Sequence, residues 1–327
     1  MTTQARLRAF AAVAEAGSVR AAAQRLVVTE SAVSAAIASL TREVGATLLE
    51  RQGRGLRLTP AGRTYAGYAR TLLGLHEEAV AAARGDADPA RGLVRVAAVT
   101  TAGEHVVPAT LATFRERHPG IGLALEVGTN ERVWAMLTAH EADVAIGGRP
   151  PPMRDVAVRA VRPNTLFVVG SPAVARDFAV SRATWLMREP GSGTRATCEE
   201  LFASLGVDPP SLNLGSNGAV VAGAAAGLGV TLISRDAVRA DLAAGRLVTL
   251  PVPGTPMRRP WHAVTHRRVP AATDLLVSHL LAAGAEPSQR WRRPGSRAQP
   301  PDWPAEPPAR PLEAPGRSPG RSTRRGM

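Results

Sequence analysis

Residues 12–62 read AVAEAGSVRAAAQRLVVTESAVSAAIASLTREVGATLLERQGRGLRLTPAG, and this stretch decides the fold of the N-terminal third. Ser18 is placed to cap a helix, VRAAAQRL, that turns Ala22 and Leu26 inward. Thr29 caps the next, from Glu30 to Val44, which stops at Gly45 and carries Val33, Ile37, Leu40 and Val44 as its inner stripe. Ahead of both, Thr3 opens a helix to Ala16 with Leu7, Phe10, Val13 and Ala14 on one face and Gly17 as its stop. Small residues at Ala21, Ala22 and Ala23 permit the close crossing that a helix-turn-helix requires. Leu48–Arg51 and Leu56–Leu58 then read as two short strands around a glycine turn, Gln52–Gly55.

Residues 1–62 are therefore expected to form a winged helix-turn-helix that binds double-stranded DNA. Its third helix would enter the major groove and bring Thr29, Glu30, Ser31, Ser34 and Ala35 to the base edges. Arg51, Arg54 and Arg57 of the wing would lie against the phosphate backbone or minor groove, with a solvated basic hairpin as the lesser alternative. Thr59-Pro60 starts a long helix over 60–90, with Thr as N-cap and Pro at its first position. Tyr65, Tyr68, Leu72, Leu75, Ala79 and Ala82 recur along it at steps of three and four. That stripe suits pairing with a second copy of the chain as a dimer, which a further pairing through the C-terminal domains would make a tetramer; packing on the chain's own globular part is the alternative.

The order and spacing of these elements resemble the N-terminal domain of LysR-type transcriptional regulators. The shared features are Ala-Gly-Ser at 16–18, the paired alanines and leucine at Ala22, Ala23 and Leu26, and Ala32-Val33-Ser34 with Ile37 and Leu40. Gly45, Leu48 and Arg51 leading into the wing, and the closing Leu-Thr-Pro-Ala-Gly, match as well. The resemblance implies a winged helix-turn-helix, a dimerising linker helix and a two-lobed effector domain like that of periplasmic binding proteins. It implies RNA polymerase as a further partner and control by a small ligand. Members often carry Ser-Gln-Pro before helix three and Arg-Gln within it; here Thr29-Glu30-Ser31 and Ala35-Ala36 stand there. An alanine side chain makes no hydrogen bond to a base, so more readout falls on the hydroxyls, on DNA shape and on the wing.

Residues 91–287 alternate strand-like and helical runs, the pattern of parallel sheets covered on both faces. Two such sets imply two lobes, the second over about 163–260, with a ligand cleft between them. Thr100 and Thr101 follow the first strand and open a helix, where hydroxyls and free N–H groups suit an anion. In REPGSGTR, Ser192, Gly193, Thr194 and Arg195 offer the same combination plus a charge, though a simple strand-to-helix turn reads equally well. Both segments look like the effector-contacting loops of the LysR-type branch that includes regulators of carbon dioxide fixation and of cysteine biosynthesis. On that resemblance Gly148 and Arg149 join the cleft, and the effector is a small anionic metabolite.

All 40 basic residues are Arg and the formal net charge is +13. Arginine grips phosphate bidentately, but codon bias in a GC-rich genome raises its content too. Residues 288–327, rich in Pro and Arg without apolar periodicity, are expected to be a disordered tail. Cys198, the sole cysteine, rules out an intramolecular disulfide, and it reads as a small buried hydrophobe rather than a redox sensor. Neither an apolar leader nor a spanning run is found, so a cytoplasmic place without membrane contact is expected. The histidines are scattered, with no HExxH or GxSxG pattern. No enzyme activity, metal or cofactor is expected on that basis. A two-lobed solute-binding protein without a transcriptional role is the alternative function.

Overall fold

The computed structural model describes residues 3–53, 55–87, 90–282 and 290–295. Three helices, α1 (Thr3–Ala16), α2 (Val19–Leu26) and α3 (Glu30–Val44), precede a hairpin of β1 (Leu49–Gln52) and β2 (Gly55–Leu58). Ser18 accepts a hydrogen bond from the Ala21 N–H at 3.4 Å, and Thr29 accepts one from the Ala32 N–H at 3.2 Å. Each cap satisfies a donor that the first helical turn leaves open. Ala9, Ala12, Ala22, Ala23 and Ala36 are all buried with Val13 and Val33, so the helices cross on methyl groups. The wing is antiparallel, Leu49 opposite Leu58 and Glu50 opposite Arg57, and the Leu56 N–H bonds the Gly17 carbonyl at 2.8 Å.

The linker helix, α4 (Pro60–Ala87), starts where the Thr59 hydroxyl accepts from the Gly62 N–H at 2.9 Å. Gly62 cannot be replaced in this geometry, because a Cβ there would lie 1.9 Å from the Leu48 carbonyl oxygen. One face of α4 buries Ala66 and Ala69 against Leu7, Phe10, Leu40 and Leu48. The opposite face leaves Tyr68, Leu72 and Leu75 exposed.

The first lobe holds β3 (Gly92–Val99), α5 (Thr100–His105), α6 (Val107–Arg117), β4 (Ile121–Gly128), α7 (Asn130–Thr138), β5 (Val144–Gly147) and β6 (Val156–Arg162). The second lobe opens with β7 (Thr165–Gly170), α8 (Pro172–Ala175), β8 (Trp185–Met187) and α9 (Gly193–Leu205). It continues with β9 (Ser211–Asn213), α10 (Asn217–Ala225), β10 (Thr231–Ser234), α11 (Arg235–Ala243), β11 (Val248–Leu250) and β12 (Met257–Arg258). The chain returns to the first lobe for β13 (Trp261–His266) and α12 (Ala271–Ala282).

The sheets correct the expectation of parallel strands throughout. In the first lobe the order is β4-β3-β5-β13-β6; β3 runs parallel to β4 and β5, whereas β13 is antiparallel to both β5 and β6. In the second, β10, β11 and β12 all pair antiparallel to β7, and β8 pairs parallel with β9. The cause is the double crossing. β6 carries the chain out of the first lobe and β13 brings it back beside it, so the two must oppose. The same holds for β7 and β12. Apolar alternation records which residues face the core and carries no strand direction.

The expected tail is also shorter than its composition suggested. Trp291 is 3% exposed in the first lobe's core with Phe114, Trp261 and Leu276. Arg292 and Val161 exchange N–H to carbonyl bonds at 2.8 Å, which extends the β6 edge. The rest of the expected tail, from residue 296, lies outside the described residues. Among the described residues, no helix is long and apolar enough to cross a membrane.

Candidate functional site

The exposed end of α3 is built by its cap. Thr29, Glu30, Ser31, Ser34 and Ala35 all face outward, while Val33, Ala36 and Leu40 turn inward. Of the two alanines that replace the usual polar pair, only Ala35 is thus on the open side. The Thr29 hydroxyl is engaged in capping and lies 3.0 Å from the Ser31 hydroxyl, which leaves Ser31, Glu30 and Ser34 as the freer polar groups. Val27 closes α2 with φ 55 and is 90% exposed, a left-handed residue with a branched Cβ on the same surface. Such backbone costs on the order of 1–3 kcal/mol and persists where its surroundings impose it. On the wing, Arg51 is exposed and Arg57 pairs with Glu50 at 2.7 Å. Arg54 lies outside the described residues.

On α4, Tyr68 is 69% exposed, Leu72 53% and Leu75 47%, and Ala79 is exposed as well. Tyr65 departs from the expected stripe. Its ring packs edge-on against Phe10 with centroids 5.6 Å apart, because the first turns of α4 lie against α1. Beside the exposed stripe a cavity of about 430 Å³ opens between α4 and α7, bordered by Tyr68, Arg70, Arg132 and Glu141.

Between the lobes is a cavity of about 140 Å³. Of the eight residues expected there, Thr100, Thr101, Gly148, Arg149, Ser192, Gly193 and Thr194 line it. The Ser192 hydroxyl caps α9 through the Arg195 N–H at 3.5 Å, and Thr129 caps α7 through the Arg132 N–H at 3.3 Å. These helix N-termini therefore face the cavity with their positive dipole ends. Arg195 does not line it. Its guanidinium is drawn back along α9 to Glu199 at 2.8 Å, to the Arg188 carbonyl at 3.1 Å and to Asn213 at 2.8 Å. An arginine and a glutamate four apart on a helix is a pattern the sequence offered.

The cationic groups of the cavity are Arg149, Arg188 and Arg259, two of which the sequence reading did not single out. Arg188, 4% exposed, forms a two-pronged pair with Glu189 at 2.7 Å for both bonds and donates to Asn217 at 2.6 Å. Hydrogen bonds from Arg188 hold the Glu189 carboxyl below the usual range, against the opposing pull of burial. Arg259 donates to the Thr197 hydroxyl at 2.7 Å. Arg149 is exposed, and among the described residues it has no hydrogen-bond or ion-pair partner. A link crosses the lobes beside the cleft: Arg162 pairs with Asp236 at 2.7 Å, and both are buried. Burial pushes the Asp236 carboxyl up, but the bonds and charge of Arg162 outweigh it and hold it low.

Cys198 sits in the second lobe's core, where burial, with the charge of Glu199, pushes its thiol up to about 12. A thiol of that kind is not a nucleophile near neutral pH. Two of the scattered histidines, His140 and His266, come together with Glu78 where α4 meets the first lobe. Separated by 126 positions, they formed no motif in the sequence.

Residues 5–63 match the model of the bacterial regulatory helix-turn-helix protein, lysR family, and residues 87–285 that of the LysR substrate binding domain. The chain belongs to the LysR family of transcriptional regulators. It is 35% identical over 286 residues to the HTH-type transcriptional regulator CbbR of Rhodospirillum rubrum, covering 85% of this chain and 95% of that one. To the RuBisCO operon transcriptional regulator of Allochromatium vinosum it is 36% identical over 292 residues, with the same coverage. The fold matches the crystal structure of CbnR, a LysR family transcriptional regulator, with a TM-score of 0.61 at 22% identity over 85% of this chain and 98% of that one. The CcmR regulatory domain of Synechocystis PCC6803, solved in complex with 2-PG, matches with a TM-score of 0.54 at 27% identity, over 59% of this chain and 97% of the domain. These LysR-family relatives lie in the carbon-fixation branch, and the chain is a DNA-binding regulator with an effector-binding domain. That sets aside a solute-binding protein without a transcriptional role.

Proposed function

We propose that this LysR-type regulator reads its operator through α3 and the wing, and that a small anionic metabolite held between the lobes sets its activity. The observation that carries the effector reading is the cleft itself. Its hydroxyls, two helix N-termini, and Arg149, Arg188 and Arg259 converge on one cavity of about 140 Å³. Among the described residues Arg149 has no ion-pair partner, which favours a ligand that brings negative charge. The 2-PG complex of the related CcmR domain supports a ligand in this class of domain. Glu30, Ser31, Ser34 and Ala35, with Thr29 behind them and Arg51, Arg54 and Arg57 beside them, form the proposed DNA face. Tyr68, Leu72, Leu75 and Ala79 form the proposed seam of a homodimer, to which a second pairing would add a tetramer; RNA polymerase is the proposed downstream partner, in the cytoplasm. No catalytic role is proposed.

The test titrates the purified full-length chain with 2-PG and with small phosphorylated and carboxylated metabolites by calorimetry, then repeats a gel shift on its own upstream DNA. Binding of an anion that alters the footprint, and loses about tenfold in affinity on Arg149→Ala, is the expected result. Saturating ligand that leaves both footprint and bend unchanged would overturn the coupling.

A further inference from the structure

Where the linker helix meets the first lobe, three stretches of chain converge. Gly74 makes the approach possible, since a Cβ there would lie 2.4 Å from the Ala139 carbonyl oxygen. One helical turn later, Glu78 falls against His140, whose Nδ1 hydrogen-bonds the carboxylate. His266, at the end of β13, stacks on His140 with ring centroids 3.8 Å apart and planes within 6°. One donor atom from each of the three residues lies within 4.8 Å of those of the other two. The Glu78 and His140 side chains are only 16% and 17% exposed.

The surroundings prepare these groups as ligands rather than as an ordinary ion pair. His266 donates from Nε2 to the Leu137 carbonyl at 2.7 Å. That bond fixes its tautomer and leaves the Nδ1 lone pair directed elsewhere, the usual outer support of a metal-binding imidazole. The neighbouring cation is already taken, because Arg95 is bound to Asp143 at 2.8 Å and to Glu77 at 3.2 Å. Glu78 feels that cation only as a nearby charge, and its hydrogen bond among the described residues goes to His140. His140 is held with φ 56, a left-handed backbone for a residue with a Cβ, at the turn after α7.

We propose that Glu78, His140 and His266 bind a divalent transition-metal ion of the zinc class that fastens the linker helix to the first lobe. Two imidazole nitrogens and one carboxylate are a donor set that zinc accepts, with water completing the shell. A single carboxylate with two nitrogens disfavours calcium and magnesium, which call for oxygen ligands. In the stacked arrangement the two rings lie in nearly parallel planes, so their in-plane lone pairs do not meet at one point. Capture therefore turns the His140 ring about its Cβ–Cγ bond until they converge, while His266 stays on the Leu137 carbonyl. The ion would stiffen the junction through which the effector domain sets the position of the DNA-binding head.

The test uses untagged full-length protein stripped with a chelator and titrated with cobalt(II), then zinc(II). Expected are one cobalt per chain with a visible ligand-field band, its displacement by zinc but not by calcium or magnesium, and a higher unfolding temperature with zinc. Glu78→Gln, which keeps an acceptor for His140, and His140→Gln and His266→Gln should each weaken zinc binding by roughly 100-fold. Glu77→Gln, outside the set, should leave it unchanged. Unfolding of each variant without metal separates lost binding from lost folding. The proposal fails if stoichiometric cobalt gives no band, or if the affinity is the same in wild type and all three variants.

Discussion

The two lobes share a cleft but are built differently. The second is one unbroken stretch, from β7 to β12. The first is stitched from two, with β13 from the later stretch inserted between β5 and β6 and Trp291 sealing its core. Their cleft walls differ in the same sense. On the second lobe Arg188 is already paired with Glu189 and bonded to Asn217. On the first, Arg149 has no partner among the described residues, and Thr100 and Thr101 stand at an open helix start. A charge that its own lobe has satisfied is part of that lobe's stability; a spare charge is available to a ligand. The chemistry differs too: every histidine of the chain lies outside 165–258.

The largest effect should come from the C-terminal seal. Trp291→Ala is expected to cost the first lobe about 3–5 kcal/mol, read by urea unfolding, while amide exchange in the second lobe stays unchanged. A chain ending at 289 should behave alike, and one ending at 297 should match the wild type. Uniform loosening of both lobes would dissolve the distinction. Next, Arg188→Ala leaves the Glu189 carboxylate and the buried Asn217 amide oxygen without their arginine partner, at a cost of about 2 kcal/mol in thermal unfolding. Arg149→Ala, by contrast, should shift stability by no more than about 0.5 kcal/mol while weakening the anionic effector about tenfold. Equal melting temperatures for the two variants would mean that the walls are not different after all.

The smallest effect is that of pH. Burial holds the imidazoles of His262 and His279, both in the first lobe, below their ordinary pKa, with nearby positive charge acting the same way. The unfolded chain takes up these protons as pH falls through about 6.5 and the folded lobe does not, so first-lobe stability is full above that range and declines below it. The second lobe has no such group. Its Glu189 and Asp236 are depressed carboxyls, whose contribution is full above about pH 4 and lost only below it. Exchange measured at pH 7 and pH 5 should therefore loosen the first lobe alone.

The head was legible because its signals are local. Caps at Ser18 and Thr29 and the alanine crossing sit within a few residues of what they determine. The cleft was legible in its backbone and hydroxyls, since strand ends and helix starts are local too. Its charges were harder. Arg195 and Arg188 flank the same loop, and only the partners, Glu199 for one and Glu189 with Asn217 for the other, decide which guanidinium reaches the cavity. Strand direction in β13 depends on where the chain has travelled between. Trp291 was hidden by averaging, one of two tryptophans in a stretch of prolines and arginines. Tyr65 kept the heptad spacing yet was claimed by Phe10, because the start of α4 belongs to the head's core.

The stitched construction of the first lobe also has a bearing on how the protein is made. A ribosome releases the head, the linker helix and the whole of the second lobe before β13 is available. The first lobe's sheet lacks the strand between β5 and β6 until then, and its core stays open until Trp291 has emerged. The nascent chain can thus hold a finished DNA-binding head while its sensor is still incomplete. A ligand cleft between the lobes is complete only once Trp291 has followed β13 out.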